Sequence, residues 1–182
     1  MKVRIQRLLH PGWMLPMMTA AILALAGAVA GAEPHDLGAA AHGGPIQVDS
    51  AWARPGLPGG TSAAYFVLVN QGTEPVRLVG ASSPVARETQ IHRTVLEERP
   101  GPDGTPHQIM RMEPAGTLVL LPGDELTFQP GGLHVMFLHL IEPLEAGGRV
   151  GLTLLFDGVD PITLDLPVLP PGELGPAMGH GH

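Results

Sequence analysis

From residue 46 onward the chain alternates apolar and polar positions with a period of two, in short runs broken by turn residues. The runs that read as strands are 46–53, 63–70, 76–81, 88–96, 108–113, 118–121, 125–129, 133–142, 150–156 and 162–168. Asn70-Gln71-Gly72, Pro122-Gly123, Pro130-Gly131-Gly132 and Asp157-Gly158 punctuate them. No stretch carries a 3.6-residue apolar period of helical length. Ten short strands so spaced predict an all-β fold, an antiparallel β-sandwich with Greek-key-like connections, over 46–168.

The first thirty residues have a different pattern. Lys2, Arg4 and Arg7 precede an apolar run from about Met14 to Ala30, which ends in Ala28-Val29-Ala30. That is the layout of a secretory signal peptide, with cleavage expected after Ala30 or Ala32 and export to the periplasm. A retained single-span anchor is the alternative, although Pro16 and the Gly and Ala content weaken the run. Residues 31–45 read as a low-complexity linker and 169–182 as a flexible tail containing Met178, His180 and His182.

Charge and composition narrow the chemistry. All three basic residues of the leader would be lost on cleavage, which leaves seven basic residues against seventeen acidic ones. So acidic a chain, with no basic patch, is not a nucleic-acid binder. Cysteine is absent, so disulfides, CxxC metal carriage and Cys-ligated blue-copper chemistry are all excluded. The few Ser residues, at 50, 62, 82 and 83, lie outside any nucleophile-elbow context. No phosphate-cradling glycine loop precedes a helix, and no paired carboxylates suggest hydrolysis. An enzyme is not expected.

The informative segment is His134-Val135-Met136. On a strand the two outer residues project from one face, imidazole beside thioether. A thioether is a soft, neutral ligand that favours Cu(I) and offers little to Mg²⁺, Ca²⁺ or Zn²⁺. Taken alone, the pair reads more readily as packing, with Met filling a gap. Met110 and Met112 repeat the spacing on another strand, and His92 lies on the strand before it. Paired as a hairpin across a turn at 97–107, those strands bring His92, Met112, His134 and Met136 together at a loop end of the sandwich, with Leu133, Phe137 and Leu138 shielding them.

Met112, twenty-one intervening residues and His134-Val135-Met136, within Pro130-Gly131-Gly132-Leu133-His134-Val135-Met136, resemble the motif of the PCuAC periplasmic copper chaperones. The likeness extends upstream through Ala51-Trp52-Ala53-Arg54, Ala63-Ala64-Tyr65-Phe66, Asn70-Gln71-Gly72 and 78–84, and covers about 48–168. Two features depart from the pattern. Arg93 replaces the optional Met after the first His, and the His92–Met112 gap is longer than the family's by about eight residues. A register shift there would bring Met110 in place of Met112, or His107 into the site.

The resemblance implies a cupredoxin-like sandwich, a monomer, that binds Cu(I) and delivers it to the CuA centre of cytochrome c oxidase. The implied partners are the CuA-bearing subunit and a thioredoxin-like copper-assembly protein, with a membrane met only through the partner. Met178, His180 and His182 resemble the family's terminal extension and point to Cu(II) capture. Two other classes remain open: a copper storage or resistance protein without a dedicated acceptor, and a β-sandwich interaction module that binds no metal.

Overall fold

The computed structural model describes residues 39–100 and 105–175, with side chains from residue 44 onward. The signal peptide expected over 1–30 and the donors Met178, His180 and His182 lie outside the described residues. Those described contain eleven strands and no helix: β1 (Ala39–Gly43), β2 (Ile46–Ala53), β3 (Thr61–Asn70), β4 (Val76–Ser82), β5 (Ala86–Pro100), β6 (Pro106–Pro114), β7 (Leu118–Leu120), β8 (Glu125–Phe128), β9 (Leu133–Leu140), β10 (Arg149–Asp157) and β11 (Ile162–Pro167). They form a seven-stranded sheet, ordered β1-β2-β3-β8-β9-β5-β6, and a four-stranded sheet, ordered β11-β10-β4-β7. The chain changes sheet after β3, β4, β6, β7 and β9, so each sheet is assembled from distant segments. Strand pairing is antiparallel except between β8 and β9, which meet in parallel at Phe128 and Leu133, and an isolated parallel bridge joins Ala53 to Val168.

Alternation decides which side chains meet between the sheets. Ala64, Phe66 and Leu68 of β3, Ile91 of β5, and Val135 and Phe137 of β9 face Leu78, Leu152, Leu154, Leu164 and Leu166 of the smaller sheet in one buried cluster. Phe66 stacks on Phe128 at 4.2 Å between centroids. Asn70 ends β3 fully buried. Its side-chain amide donates to the carbonyls of Glu74 (2.8 Å) and Leu120 (3.0 Å), and its Oδ1 accepts from the Gly72 N–H (3.0 Å). One side chain thereby satisfies a turn and ties the large sheet to β7.

A bulge in β2 breaks the alternation. The register with β3 slips between Asp49 and Trp52, where Ser50 takes a φ of 54°. Ile46 and Val48 point into the core before it, and Ala51 and Ala53 after it. Trp52 is thus turned to the outer face of the large sheet, against Tyr65 at 4.6 Å.

Both expected flanking segments are partly ordered. β1 lies inside the stretch read as linker and pairs with β2, because its backbone completes an otherwise open sheet edge. Beyond β11, Leu169 packs on Trp52 and Tyr65, and a Cβ at Gly175 would collide with the Trp52 ring. Leu169 and Gly175 therefore lie against Trp52, while residues 171–174 between them are exposed.

Candidate metal centre

The outer face of the large sheet carries the chemistry. Directly opposed residues on adjacent strands share a face with Cβ atoms about 4.5–5.5 Å apart. His92 of β5 opposes His134 of β9, and Gln90 opposes Met136. On the other side of β5, Thr94 opposes Met112 and Leu96 opposes Met110. Ala63 of β3 flanks Met136. All of these alternate with the core residues Ile91, Val135 and Ala64, and so point away from the core. Sheet pairing gathers the donors on this outer face, and the loop residues Pro55, Pro130 and Gly131 border the cavity there. Phe137, expected as its shield, belongs to the core on the opposite side of β9.

A cavity of about 410 Å³ gathers Met110, Met112, His134 and Met136, with Thr94, Tyr65, Ala63 and Arg54 among its walls. β5 and β6 stay paired from His92–Pro114 out to Pro100–Pro106, whereas β9 accompanies β5 only as far as Arg93. The extra residues of the His92–Met112 gap thus form a two-stranded ribbon, not the expected 97–107 loop. Free ribbons twist strongly. This one coils over the outer face, for Met110 and Met112 line the same cavity as Tyr65 and Ala63, three strands away. The alternatives Met110 and Met112 are both present, 71% and 61% exposed. His107 opposes Arg99 near the ribbon tip, contacts Thr105 at 3.3 Å and does not line the cavity. His139 is exposed with a φ of 53° and does not line the cavity.

Each imidazole has one nitrogen committed and one free. The Gly132 carbonyl can only accept, so His134 Nδ1–H donates to it at 3.0 Å, and Nε2 keeps its lone pair. That Nε2 is buried with no partner. Gly132 O also accepts from Thr94 N–H at 3.1 Å, which pins the 130–132 turn to β5. Gly131 enters that turn at a φ of 79°, a conformation a side chain would resist. His92 Nε2 lies 2.6 Å from Gln90 Oε1, and its Nδ1 is buried without a partner. The two rings meet edge to face, centroids 6.0 Å apart. His92 is not a cavity wall and stands at its margin, next to His134. Burial, and secondarily the neighbouring His134, lower its pKa below 6.5 against the opposing pull of Glu88. The neutral, ligating form is favoured.

The donor set is selective. Arg54, held over the Trp52 ring at 5.3 Å, is the one charged side chain among the cavity walls. Among the described residues, no three His, Asp or Glu side chains converge to hold a metal ion. Hard divalent cations need carboxylate or carbonyl oxygen and find none arranged here. Two imidazole lone pairs and three thioethers suit a soft monovalent ion.

The match to known proteins spans the sandwich. Residues 46–168 fit the sequence profile of the LpqE-like family. The chain belongs to the LpqE-like family. The lipoprotein-named protein Lxx21020 of Leifsonia xyli subsp. xyli (strain CTCB07) is 32% identical over 124 residues, covering 68% of this chain and 69% of that one. Protein RP573 of Rickettsia prowazekii (strain Madrid E) is 28% identical, over 58% of this chain and 56% of its own. The copper-bound PCuAC domain from PmoF2 superposes with a TM-score of 0.56 at 25% identity, covering 72% of this chain and 98% of that domain. The metal-free form of that domain gives 0.55, also at 25% identity, over 75% and 98%. This LpqE-like chain therefore has the fold of the PCuAC domains, in agreement with the motif resemblance.

Arg54, Tyr65 and Thr94 were not foreseen as cavity walls. Thr94 was within reach of parity, two residues beyond His92 on the same face. Arg54 and Tyr65 depend on the β2 bulge and on the order of strands, which no local pattern reveals.

Proposed function

We propose that this LpqE-like protein is an exported copper chaperone that carries one Cu(I) ion on the outer face of its large sheet. His134 Nε2, Met136 and Met112 are the principal donors, with His92 Nδ1 as the second imidazole and Met110 as a further thioether at the cavity mouth. The observation that carries this reading is the buried, unpartnered Nε2 of His134 in a cavity with three methionines and no carboxylate. An orphaned buried nitrogen is costly unless a ligand takes it up. The copper in the superposed PmoF2 domain and the lipoprotein name of the Leifsonia relative support copper and export.

Release follows from the same donors. Neutral thioethers on the exposed ribbon yield one at a time to the stronger thiolates of an acceptor. The acceptor we infer is the CuA-bearing subunit of cytochrome c oxidase, reached with or through a thioredoxin-like assembly protein. The terminal Met178, His180 and His182 would serve Cu(II) capture.

The test is Cu(I) titration of the full chain under a competing chelator, followed by mixing with a metal-free CuA domain. One equivalent should bind, and Met136→Ala and His134→Ala should each weaken binding at least tenfold. The CuA absorption should then appear in the acceptor. Unaltered affinity in both variants would remove the ligand assignment, and binding without transfer would leave a storage protein.

A further inference from the structure

Three successive outer-face positions of β5, namely Glu88, Gln90 and His92, are linked head to tail by hydrogen bonds. The chemistry of each group fixes the direction of the chain. A carboxylate only accepts, so the Gln90 amide nitrogen faces Glu88, to whose Oε1 it donates. The Gln90 oxygen then faces His92, and Nε2 at 2.6 Å is the nitrogen that carries the proton. Nδ1 is left with its lone pair, buried and unpartnered.

We propose that Gln90, oriented by Glu88, is a positioning residue that holds the His92 ring as the Nε2–H tautomer and presents Nδ1 to copper. The inference deepens the copper reading of the same site and rests on it. Partners beyond the direct ligands commonly set the ring orientation and tautomer of a metal-binding histidine. Here the two imidazoles are anchored by different means. His134 is held by a backbone carbonyl at Gly132, which no substitution removes. His92 is held by a side chain on an exposed strand surface, with Glu88 itself exposed. The His92 donor is therefore the one that sequence change at a neighbouring position can tune. It is also the donor at the cavity margin, next to His134.

The test compares Gln90→Leu, which removes the acceptor, with Gln90→Glu, which keeps one. In the metal-free full chain, ring ¹⁵N shifts should report Nε2–H at His92, with a hydrogen-bonded Nε2 proton resolved in the wild type. Gln90→Leu should lose that resolved proton while keeping the wild-type unfolding midpoint, and should bind Cu(I) about ten- to a hundredfold more weakly. Gln90→Glu should restore both signals. In a His92→Ala background, Gln90→Leu should cost nothing more. Wild-type ring signals and affinity in Gln90→Leu would overturn the positioning role while leaving copper binding intact. A wild-type chain that takes up no Cu(I) would instead overturn the copper reading and the ligand role of His92 with it.

Discussion

At the residue scale, each imidazole of the site has one ring nitrogen held by a hydrogen bond and one buried without a partner. His134 donates to Gly132 O and His92 donates to Gln90. The lowered pKa of His92 has a consequence for stability. Burial and the facing His134 make the folded chain a weaker proton acceptor at this ring than the unfolded chain. The unfolded state then binds more protons, so stability rises with pH. The contribution of His92 is complete above the ordinary value of 6.5 and is lost as pH falls below it toward the depressed folded-state value. Thermal melts of the metal-free chain between pH 7.5 and 5 should therefore drop more steeply in the wild type than in His92→Gln. Equal slopes would contradict the depressed pKa.

At the scale of elements, one turn and a ribbon hold the donors, and a second turn supports the fold alone. The 130–132 turn needs Gly131 at a φ of 79° and is tied to β5 through Gly132 O. Gly131→Ala should cost about 1 kcal/mol of stability and weaken Cu(I) binding through a displaced His134, which denaturant melts and competition titration would register. The other turn is governed by Asn70. Asn70→Leu leaves the Leu120 and Glu74 carbonyls without their donor, a loss of about 1–3 kcal/mol for a buried unsatisfied group. Urea unfolding should show this loss while copper affinity in the folded fraction stays unchanged, because Asn70 is not a cavity wall. The β5–β6 ribbon works differently. Its methionines are exposed and its surface ion pairs, Glu97 with Arg99 and Arg111, are solvated and add little. The ribbon thus contributes thioethers to the cavity more than stability to the fold.

For the whole molecule, the division of labour runs across the large sheet. Its inner face is a closed apolar core with the smaller sheet, and its outer face is the open donor surface. Copper should stabilise the folded chain by mass action, by about 2.7 kcal/mol at free Cu(I) a hundred times the dissociation constant. Scanning calorimetry should register that gain as a higher unfolding temperature, and Met112→Ala with Met136→Ala should abolish it. An unfolding temperature indifferent to Cu(I) would count against a folded-state site.

The alternation of apolar and polar residues was enough to specify an all-β sandwich, most of its strands and turns, and the shared face of His134 and Met136. A period of two encodes which side chains project together along one strand. It carries no information on which strands become neighbours, because that depends on packing two sheets from segments far apart in the chain. Only the tertiary structure decided that β5 lies between β9 and β6, so that His92 meets His134 and Thr94 meets Met112. Only it turned the added residues of the His92–Met112 gap into a ribbon, and used the bulge at Ser50 to swing Trp52 outward beneath Arg54, Leu169 and Gly175. A one-residue slip inverts every side chain after it, and long-range packing alone selects where such a slip is tolerated.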